Sequence, residues 1–267
     1  MAFFGKAFTF DGLPSEQFEL MLYDIGGESP GDAALTSPTE IVDDVVSNRW
    51  RPLFYGIRRG KKLQFNMVFG VNQRRLDRHK YLDRYELSEV AAWLTGHEEY
   101  KELELEQEDM RHVFYRCMIS EVTPVSYGNI PWAFRVTVTC DSAYAYLRET
   151  ETAFTINGTA QISFDNKSSI NGFFKPVIEF ALTSGDGFSV ENLTDRGRTL
   201  TFAELPGSVS RVRVDNERGI ITNDQDLSIY DCCNLKWLRL KRGINVMNVV
   251  GNGVLKFICE FPIDVGG

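Results

Sequence analysis

The residues that could perform chemistry are few, and their spacing does not match a catalytic or metal-binding pattern. The three histidines stand at positions 79, 97 and 112. His97 is followed by two glutamates, as in the helical zinc-protease motif, but Lys101 stands where that motif needs its second histidine. We therefore interpret the histidines as polar residues at the ends of elements, and we predict no metal site.

Acidic residues provide two further candidates. The run 223–226, with Asp231 downstream, offers oxygen ligands for a hard cation but lacks the glycine and the distal glutamate of a calcium loop. Glu98 and Glu99 would serve acid–base catalysis only if burial shifted the pKa of one of them. We interpret the first as a solvated turn and the second as a charged strand edge or loop.

Motifs for nucleophilic or nucleotide chemistry are missing from the sequence. There is no Gly-x-Ser-x-Gly elbow, P-loop or dinucleotide fingerprint, and Gly251-Asn252-Gly253 is predicted to be a hairpin turn. We expect no enzymatic activity, no catalytic residues and no cofactor. The five cysteines, an odd number, indicate reduced thiols in a protein made in a cytoplasm. No apolar run approaches the ~20 residues of a membrane span, so we expect no membrane contact.

Charge is unevenly distributed along the chain. The net charge of −8 argues against a general nucleic-acid binder, because that affinity depends on Lys and Arg. Residues 1–48 hold nine acids and one base, residues 49–84 eleven bases and two acids, and residues 85–109 nine acids and one base. Since acidic segments flank the basic one on both sides, a protein partner is favoured over nucleic acid.

The elements of the first half are predicted from apolar periodicity. Short alternating runs predict strands up to residue 23, and residues 24–49 are predicted to form a long loop that can reach a neighbouring molecule. Trp50–Ile57 and Leu63–Val71 predict a hairpin whose tip is Arg58-Arg59-Gly60-Lys61-Lys62.

One helix is predicted, beginning between residues 82 and 88 and ending before Gly96. Its apolar face has the spacing i, i+3, i+4, i+7 and consists of Leu87, Val90, Ala91 and Leu94. Alternation predicts further strands around residues 103–105, 113–119 and 134–140. The first half therefore reads as a β-rich domain with one short helix.

The second half predicts a β-sandwich of many short strands. Asn157-Gly158 predicts a hairpin turn, and a last hairpin is predicted around Lys241-Arg242-Gly243, with Trp237–Leu240 as its first strand. The other strands are predicted at 176–183, 187–193, 198–203, 209–215 and 226–230. We predict an all-β chain with one short helix and two domains, 1–146 and 147–267.

The basic hairpin tip suggests a contact between copies of the chain. If copies meet head to tail, the tip of one would contact an acidic loop of the next, which would favour closure of a ring. The candidate contact residues are Arg58, Arg59, Lys61 and Lys62.

The four tryptophans leave a different function open, that of a carbohydrate-binding adsorption module. Trp93 lies in the predicted helix and Trp237 opens an apolar strand, which favours core packing for both. Trp50 and Trp132 stand in loop or turn contexts and remain candidates for a sugar-binding face. A third possibility, a glycan hydrolase, would need two carboxylates that converge in a cleft.

Several segments, in their order and spacing, resemble the distal tail proteins of long-tailed, non-contractile bacteriophages, a family of tail-tip hub proteins. The segments are Phe8–Gly12, Val90–Gly96, Tyr100–Leu105, Cys140–Tyr146, Trp237–Leu240, Gly243–Asn245 and Gly251–Gly253. The resemblance covers essentially the whole chain.

This resemblance implies an N-terminal β-barrel-like domain that forms a six-fold ring and a C-terminal galectin-like β-sandwich. The hexamer would lie at the tail tip of the virion and would join the tail tube to the tail-associated lysin or spike protein. Receptor-binding proteins could attach at its periphery, and DNA would pass through the lumen without specific binding. An acidic protein suits such a lumen, and a galectin-like fold does not by itself imply lectin activity.

Overall fold

The computed structural model describes residues 7–26, 40–58, 62–71, 81–106, 112–148 and 151–264. These form two compact units, with the boundary between Leu147 and Arg148. The described residues consist mainly of antiparallel strands with one α-helix, which confirms the predicted fold class. No helix among them is long and apolar enough to cross a membrane.

The strands of the first part of the chain are β1 (Phe8–Phe10), β2 (Leu13–Pro14), β3 (Leu20–Gly26), β4 (Glu40–Asp44), β5 (Leu53–Arg58), β6 (Gln64–Val71), β7 (Lys101–Leu105), β8 (Val113–Tyr127), β9 (Ile130–Cys140) and β10 (Ala145–Arg148). In the first unit they form a large antiparallel sheet in the order β2-β1-β7-β8-β9-β6-β3, with β10 beside β8. Strands β4 and β5 form a separate two-stranded sheet.

Helix α1 (Arg84–Thr95) confirms the helix prediction. Its N-cap is Asp83, whose side chain forms a capping box with Glu86, and its C-cap is Gly96. The ring of Trp93 stacks on Phe18 at 4.5 Å between centroids, and its indole nitrogen donates a hydrogen bond to the Phe10 carbonyl. This amphipathic helix thus covers the start of the large sheet with its apolar face.

The predicted hairpin of Trp50–Ile57 with Leu63–Val71 is wrong. Strand β5 pairs with β4 instead, and β6 pairs with β9 and β3. The buried face of β6 matches that of β9, with Phe65 opposite Val138, so pairing with β9 extends the core. The predicted long loop 24–49 is also partly wrong, since it contains β4 and the end of β3; residues 27–39 lie outside the described part of the chain.

The second unit is built on three strands of 15 or 16 residues in the sheet order β11-β16-β12-β14-β15, with β13 beside β12. Its strands are β11 (Thr152–Asn166), β12 (Val177–Asn192), β13 (Arg198–Phe202), β14 (Arg211–Asp215), β15 (Ile220–Asn223), β16 (Gly243–Ile258) and β17 (Glu260–Ile263).

Glycines lie in the middle of the long strands rather than in turns. Gly158 stands opposite Gly251 in one continuous register between β11 and β16, so the hairpin turns predicted at Asn157-Gly158 and at Gly251-Asn252-Gly253 are wrong. A Cβ atom on Gly253 would lie 2.1 Å from the Ala181 carbonyl oxygen, so glycine is needed where β16 approaches β12. Asparagine and glycine favour both a hairpin turn and an irregularity within a strand. Only the pairing with other strands distinguishes these two structures.

The two halves of the long strands pack face to face. Phe164, near the end of β11, stacks on Phe257, near the end of β16, at 4.2 Å between centroids, although the register puts them at opposite ends of the β11–β16 pair. Phe180 and Phe188 of β12 stack in the same way at 4.3 Å. These rings join two sheet layers, which is the arrangement of a β-sandwich.

The strand predictions of the second half are correct where apolar and polar residues alternate. They are wrong where side chains, and not a neighbouring strand, form the hydrogen bonds of the backbone. The strands predicted at 198–203 and 209–215 are confirmed by β13 and β14. The segment 226–230 is not a strand, because the Asn223 side chain accepts hydrogen bonds from the amides of Gln225 and Leu227. Trp237–Leu240 has only an isolated bridge, between Leu240 and Phe174.

Buried asparagines hold this irregular segment in place. The Asn192 amide donates to the Arg239 carbonyl at 2.8 Å, and the Asn245 amide donates to the Lys241 carbonyl at 2.7 Å. Asn216 accepts a hydrogen bond from the Leu238 amide at 2.7 Å. All three asparagines are buried, where backbone polar groups need a hydrogen-bond partner. Their side chains therefore supply the hydrogen bonds that a neighbouring strand would otherwise form.

Candidate assembly surface

Strands β4 and β5 form a two-stranded ribbon, residues 40–58, that exposes large apolar side chains. Trp50 is 84% exposed, Val45 87%, and Phe54, Tyr55 and Ile41 about two-thirds. Within the described chain the ribbon pairs with no other strand, and most residues on both of its faces are exposed. An isolated two-stranded ribbon is marginal in water, and exposed apolar patches usually mark interaction sites.

The ribbon turns at residues 45–52, between the end of β4 and the start of β5. This turn carries Trp50, with the guanidinium carbon of Arg51 4.0 Å from the indole centroid. Tryptophan and arginine are among the residues that are enriched at the energetically important centres of protein interfaces. The apolar tip is therefore the part of the ribbon best suited to contact another protein.

The structure describes two of the four basic residues that were predicted as a contact, Arg58 and Lys62. Arg58 ends β5 opposite Glu40 in the register, and Arg59 and Lys61 lie outside the described residues. Lys62 is exposed, its ammonium donates a hydrogen bond to the Tyr100 hydroxyl, and it lies 5.0 Å from the centre of that ring. Arg58 thus lies at the end of the ribbon opposite its tip, whereas Lys62 lies against Tyr100.

Sequence reasoning missed the ribbon because its apolar residues do not alternate. Phe54 and Tyr55 are adjacent and point to opposite faces, so neither face resembles the buried side of a strand. The signal available in the sequence was an aromatic pair, Phe54 and Tyr55, close to a tryptophan and several arginines, a composition that favours an interface over a core.

The residues that were candidates for catalysis or metal binding form hydrogen bonds within the fold. His97 hydrogen-bonds the Trp93 carbonyl at 2.7 Å through Nε2 and lies 3.8 Å from Asp11. Asp224 accepts hydrogen bonds from Ser210 and the Arg211 amide, and the Ser210 hydroxyl is the main cause of its lowered pKa. Within the described ranges, no three His, Cys, Asp or Glu side chains lie close enough to hold a metal ion.

The tryptophans divide between core and surface. Trp93 is buried, and Trp132 packs edge-on against Tyr23 at 5.3 Å between centroids. Trp237 is half-buried, and a Cβ atom on Gly219 would lie 3.2 Å from its ring. Only Trp50 presents most of its indole to solvent, and it belongs to the ribbon of the first unit, not to the second.

Comparison with known proteins identifies the family. Residues 3–142 match the N-terminal domain of a phage tail protein family, and residues 144–259 match a phage tail C-terminal domain. The chain belongs to this family of phage tail proteins. No curated protein matches its sequence.

Among solved structures, the chain is similar to the Dit protein (gp 19.1) of phage SPP1, described as a paradigm of the hub adsorption apparatus in phages that infect Gram-positive bacteria. The TM-score is 0.69 at 12% identity, over 96% of this chain and 98% of that one. It is also similar to a chain of the phage p2 baseplate in its activated conformation with calcium, with a TM-score of 0.48 at 11% identity over 92% of each chain. The predicted resemblance to distal tail proteins is confirmed by the family and by the Dit fold of this tail protein.

Proposed function

We propose that this tail protein is a passive structural hub at the tail tip, in which six copies close into a ring. The ring would join the tail tube to the tail-associated lysin or spike protein, with receptor-binding proteins at its periphery and DNA passing through its lumen. The first domain, residues 1–146, would form the ring, and the second, 147–267, would form the galectin-like sandwich. The phage tail family, together with a Dit fold over nearly the whole chain, supports this role.

The observation that carries self-association is the exposed ribbon. The ribbon leaves Trp50, Phe54 and Tyr55 exposed to water, although burying one such aromatic side chain would stabilise a contact by roughly 2 kcal/mol. We propose that a second copy of the chain covers these side chains, because a head-to-tail contact that is repeated six times closes into a ring.

Charge supports the same contact. Basic residues are concentrated in 49–84, the segment that includes the tip and base of the ribbon, and acids in 85–109. Arg58, Arg59, Lys61 and Lys62 would then lie near an acidic segment of the next copy, which would steer the register of the contact and make it sensitive to salt.

The experiment measures the mass of the full-length chain by light scattering and native mass spectrometry over a range of concentrations. We expect a hexamer, and we expect the double variant Trp50→Ser/Phe54→Ser to weaken association at least tenfold, since two anchors are lost. Ile244→Ser serves as the matched control, because Ile244 is 68% exposed but lies in the second unit.

A second arm reverses Arg58, Arg59, Lys61 and Lys62 to Glu at low salt. We expect weaker association, with the difference from wild type shrinking as salt is added. An unchanged oligomer in this variant contradicts the basic contact. A wild-type chain that stays monomeric at all concentrations, alone and with the tail tube protein, contradicts the ring itself.

The alternative function, a carbohydrate-binding module, relied on exposed tryptophans on the sandwich. Trp237 is the only tryptophan in the sequence of the second unit, and it is half-buried against Gly219. The most exposed indole belongs instead to the ribbon, so the structure favours a protein contact for it.

A further inference from the structure

Two of the five cysteines face each other inside the first unit. Cys117 on β8 and Cys140 on β9 are direct partners in the antiparallel register, so their side chains project from the same face of the sheet. Both are fully buried, and both are free thiols. The other three cysteines are Cys232 and Cys233, which are neighbours in sequence, and Cys259.

The hydrogen bonds beside the pair define its geometry. The Asp141 amide donates to the Arg116 carbonyl at 2.8 Å, so Arg116 and Asp141 form the hydrogen-bonded pair next to the cysteines. The Cys140 amide points the other way and donates to the Leu63 carbonyl at 2.9 Å. Because the two kinds of pair alternate along antiparallel strands, Cys117 and Cys140 occupy a non-hydrogen-bonded site.

At such a site the two backbones come closest. The Cα atoms of a non-hydrogen-bonded pair are about 4.5 Å apart, which lies within the range of about 4.4 to 6.8 Å that a disulfide spans. A hydrogen-bonded pair directs its side chains less well toward each other. The cysteines therefore occupy the position on the ladder where a bond between them needs the least backbone movement.

The surroundings explain why the pair stays reduced while the protein is made. Burial is the main cause that raises the pKa of both thiols, that of Cys140 to about 12, and the neighbouring Asp141 carboxylate raises both further. Since the thiolate is the species that reacts, a buried, protonated pair oxidises slowly in a reducing cytoplasm. A tail protein leaves that compartment when the particle is released.

We propose that Cys117 and Cys140 are a latent cross-strand disulfide, which closes outside the cell and fixes β8 to β9. The oxidant is a small disulfide. One cysteine thiolate attacks a sulfur of the oxidant, forms a mixed disulfide and releases one small thiol. The other cysteine thiolate then attacks the Sγ of the first cysteine, forms the Cys117–Cys140 bond and releases the second small thiol. Two electrons pass from the cysteine sulfurs to the oxidant, and the two protons end on the released thiols.

The test incubates the folded full-length chain with oxidised or reduced glutathione, alkylates remaining thiols after denaturation, and maps linked peptides by mass spectrometry. We expect a peptide joining Cys117 to Cys140, two hydrogens lighter than the reduced pair. We expect its rate of formation to rise about tenfold per pH unit between pH 7 and 9, following the thiolate fraction. We also expect the oxidised first unit to melt about 5 °C higher, because the bond restricts the unfolded chain.

Three alanine variants separate this pair from the other thiols. Cys117→Ala and Cys140→Ala should each abolish both the linked peptide and the melting shift, whereas Cys259→Ala should keep both. A second arm refolds the wild-type chain in the oxidised buffer, where access to the thiols is not limiting. If Cys117 and Cys140 remain fully alkylated in both arms, the proposal is wrong, and this outcome leaves ring formation untouched.

Discussion

The ribbon of the first unit and the irregular segment 234–242 of the second unit both lack extensive strand pairing, yet they are stabilised in opposite ways. The segment 234–242 lies against buried asparagines, which satisfy its backbone within the same unit. The ribbon has its partner strand but leaves Trp50 and Phe54 in water. The comparison indicates that the second unit satisfies this irregular segment internally, whereas the first unit leaves large apolar side chains of the ribbon exposed, which is typical of an interaction surface.

The largest effect is expected where the second unit depends on a close backbone approach. In Gly253→Ala, the added Cβ would meet the Ala181 carbonyl and the Phe180 ring at 2.1 and 2.8 Å, so the paired strands β12 and β16 must move apart. We expect a loss of more than about 3 kcal/mol in the free energy of unfolding of this unit. Urea unfolding followed through Trp237 fluorescence measures it.

Gly172→Ala is the matched control for this substitution, because no atom lies within 4 Å of the added Cβ. We expect its unfolding curve to follow that of the wild type within about 0.5 kcal/mol. Association through the ribbon should persist in both variants. Loss of the oligomer in Gly253→Ala alone would show that the two units are not independent and would break the comparison.

An intermediate effect is expected from the buried asparagines. Asn192→Ala removes the donor to the Arg239 carbonyl and the acceptor of the Thr194 amide, and leaves both backbone groups unpaired. We expect a loss of about 2 to 3 kcal/mol in the unfolding free energy of the second unit, measured by urea unfolding.

Asn248→Ala tests whether the loss of stability in Asn192→Ala is due to the burial of that asparagine. Asn248 lies on β16 but is half-exposed, and its side chain bonds Glu191 and Gln161 rather than the backbone. We expect a loss of less than about 1 kcal/mol, since water can replace these partners. Equal losses in the two variants would count against the role given to the buried asparagines.

A smaller effect is expected at alkaline pH, where the free energy of unfolding should fall more in the first unit than in the second. Burial raises the pKa of Cys117 and Tyr115, and it raises that of Cys140 and Tyr146 to about 12. Groups with raised folded-state pKa values contribute stability that is fully present below their ordinary values of 9 and 10 and is lost as pH rises towards about 12.

We therefore expect the first unit to lose stability above about pH 9. We expect the second unit, in which burial also raises the pKa of Cys233, to lose less. Urea unfolding at each pH, with reductant present, measures both units through tryptophan fluorescence. Tyr146→Phe should reduce the pH dependence of the first unit. An equal alkaline loss in both units would contradict this assignment.

Elements with a strong local pattern could be predicted from the sequence. The spacing of Leu87, Val90 and Leu94 predicted α1, and alternation predicted β13 and β14. In these cases the residues that define the pattern supply most of the buried face, Val90 and Leu94 in α1 and alternate residues in β13 and β14, so the local signal and the tertiary packing agree. The absence of catalytic spacing and the resemblance to distal tail proteins likewise required no coordinates.

Strand pairing could not be predicted in the same way. The hairpin with a tip at Arg58–Lys62 and the turn at Asn157-Gly158 were reasonable from local sequence, yet β5 pairs with β4 and β11 continues through its glycine. A strand can accept any neighbour that matches its buried face, and that choice depends on residues far away in the sequence.

The amino-acid sequence thus determined the fold class, the position of the helix and the family resemblance, because periodicity and composition act over a few residues at a time. Only the tertiary structure decided that the aromatic residues near Trp50 remain exposed, that Cys117 faces Cys140 and that Gly253 lies against Ala181. These features arise from contacts between distant segments, and no local pattern encodes which segments meet.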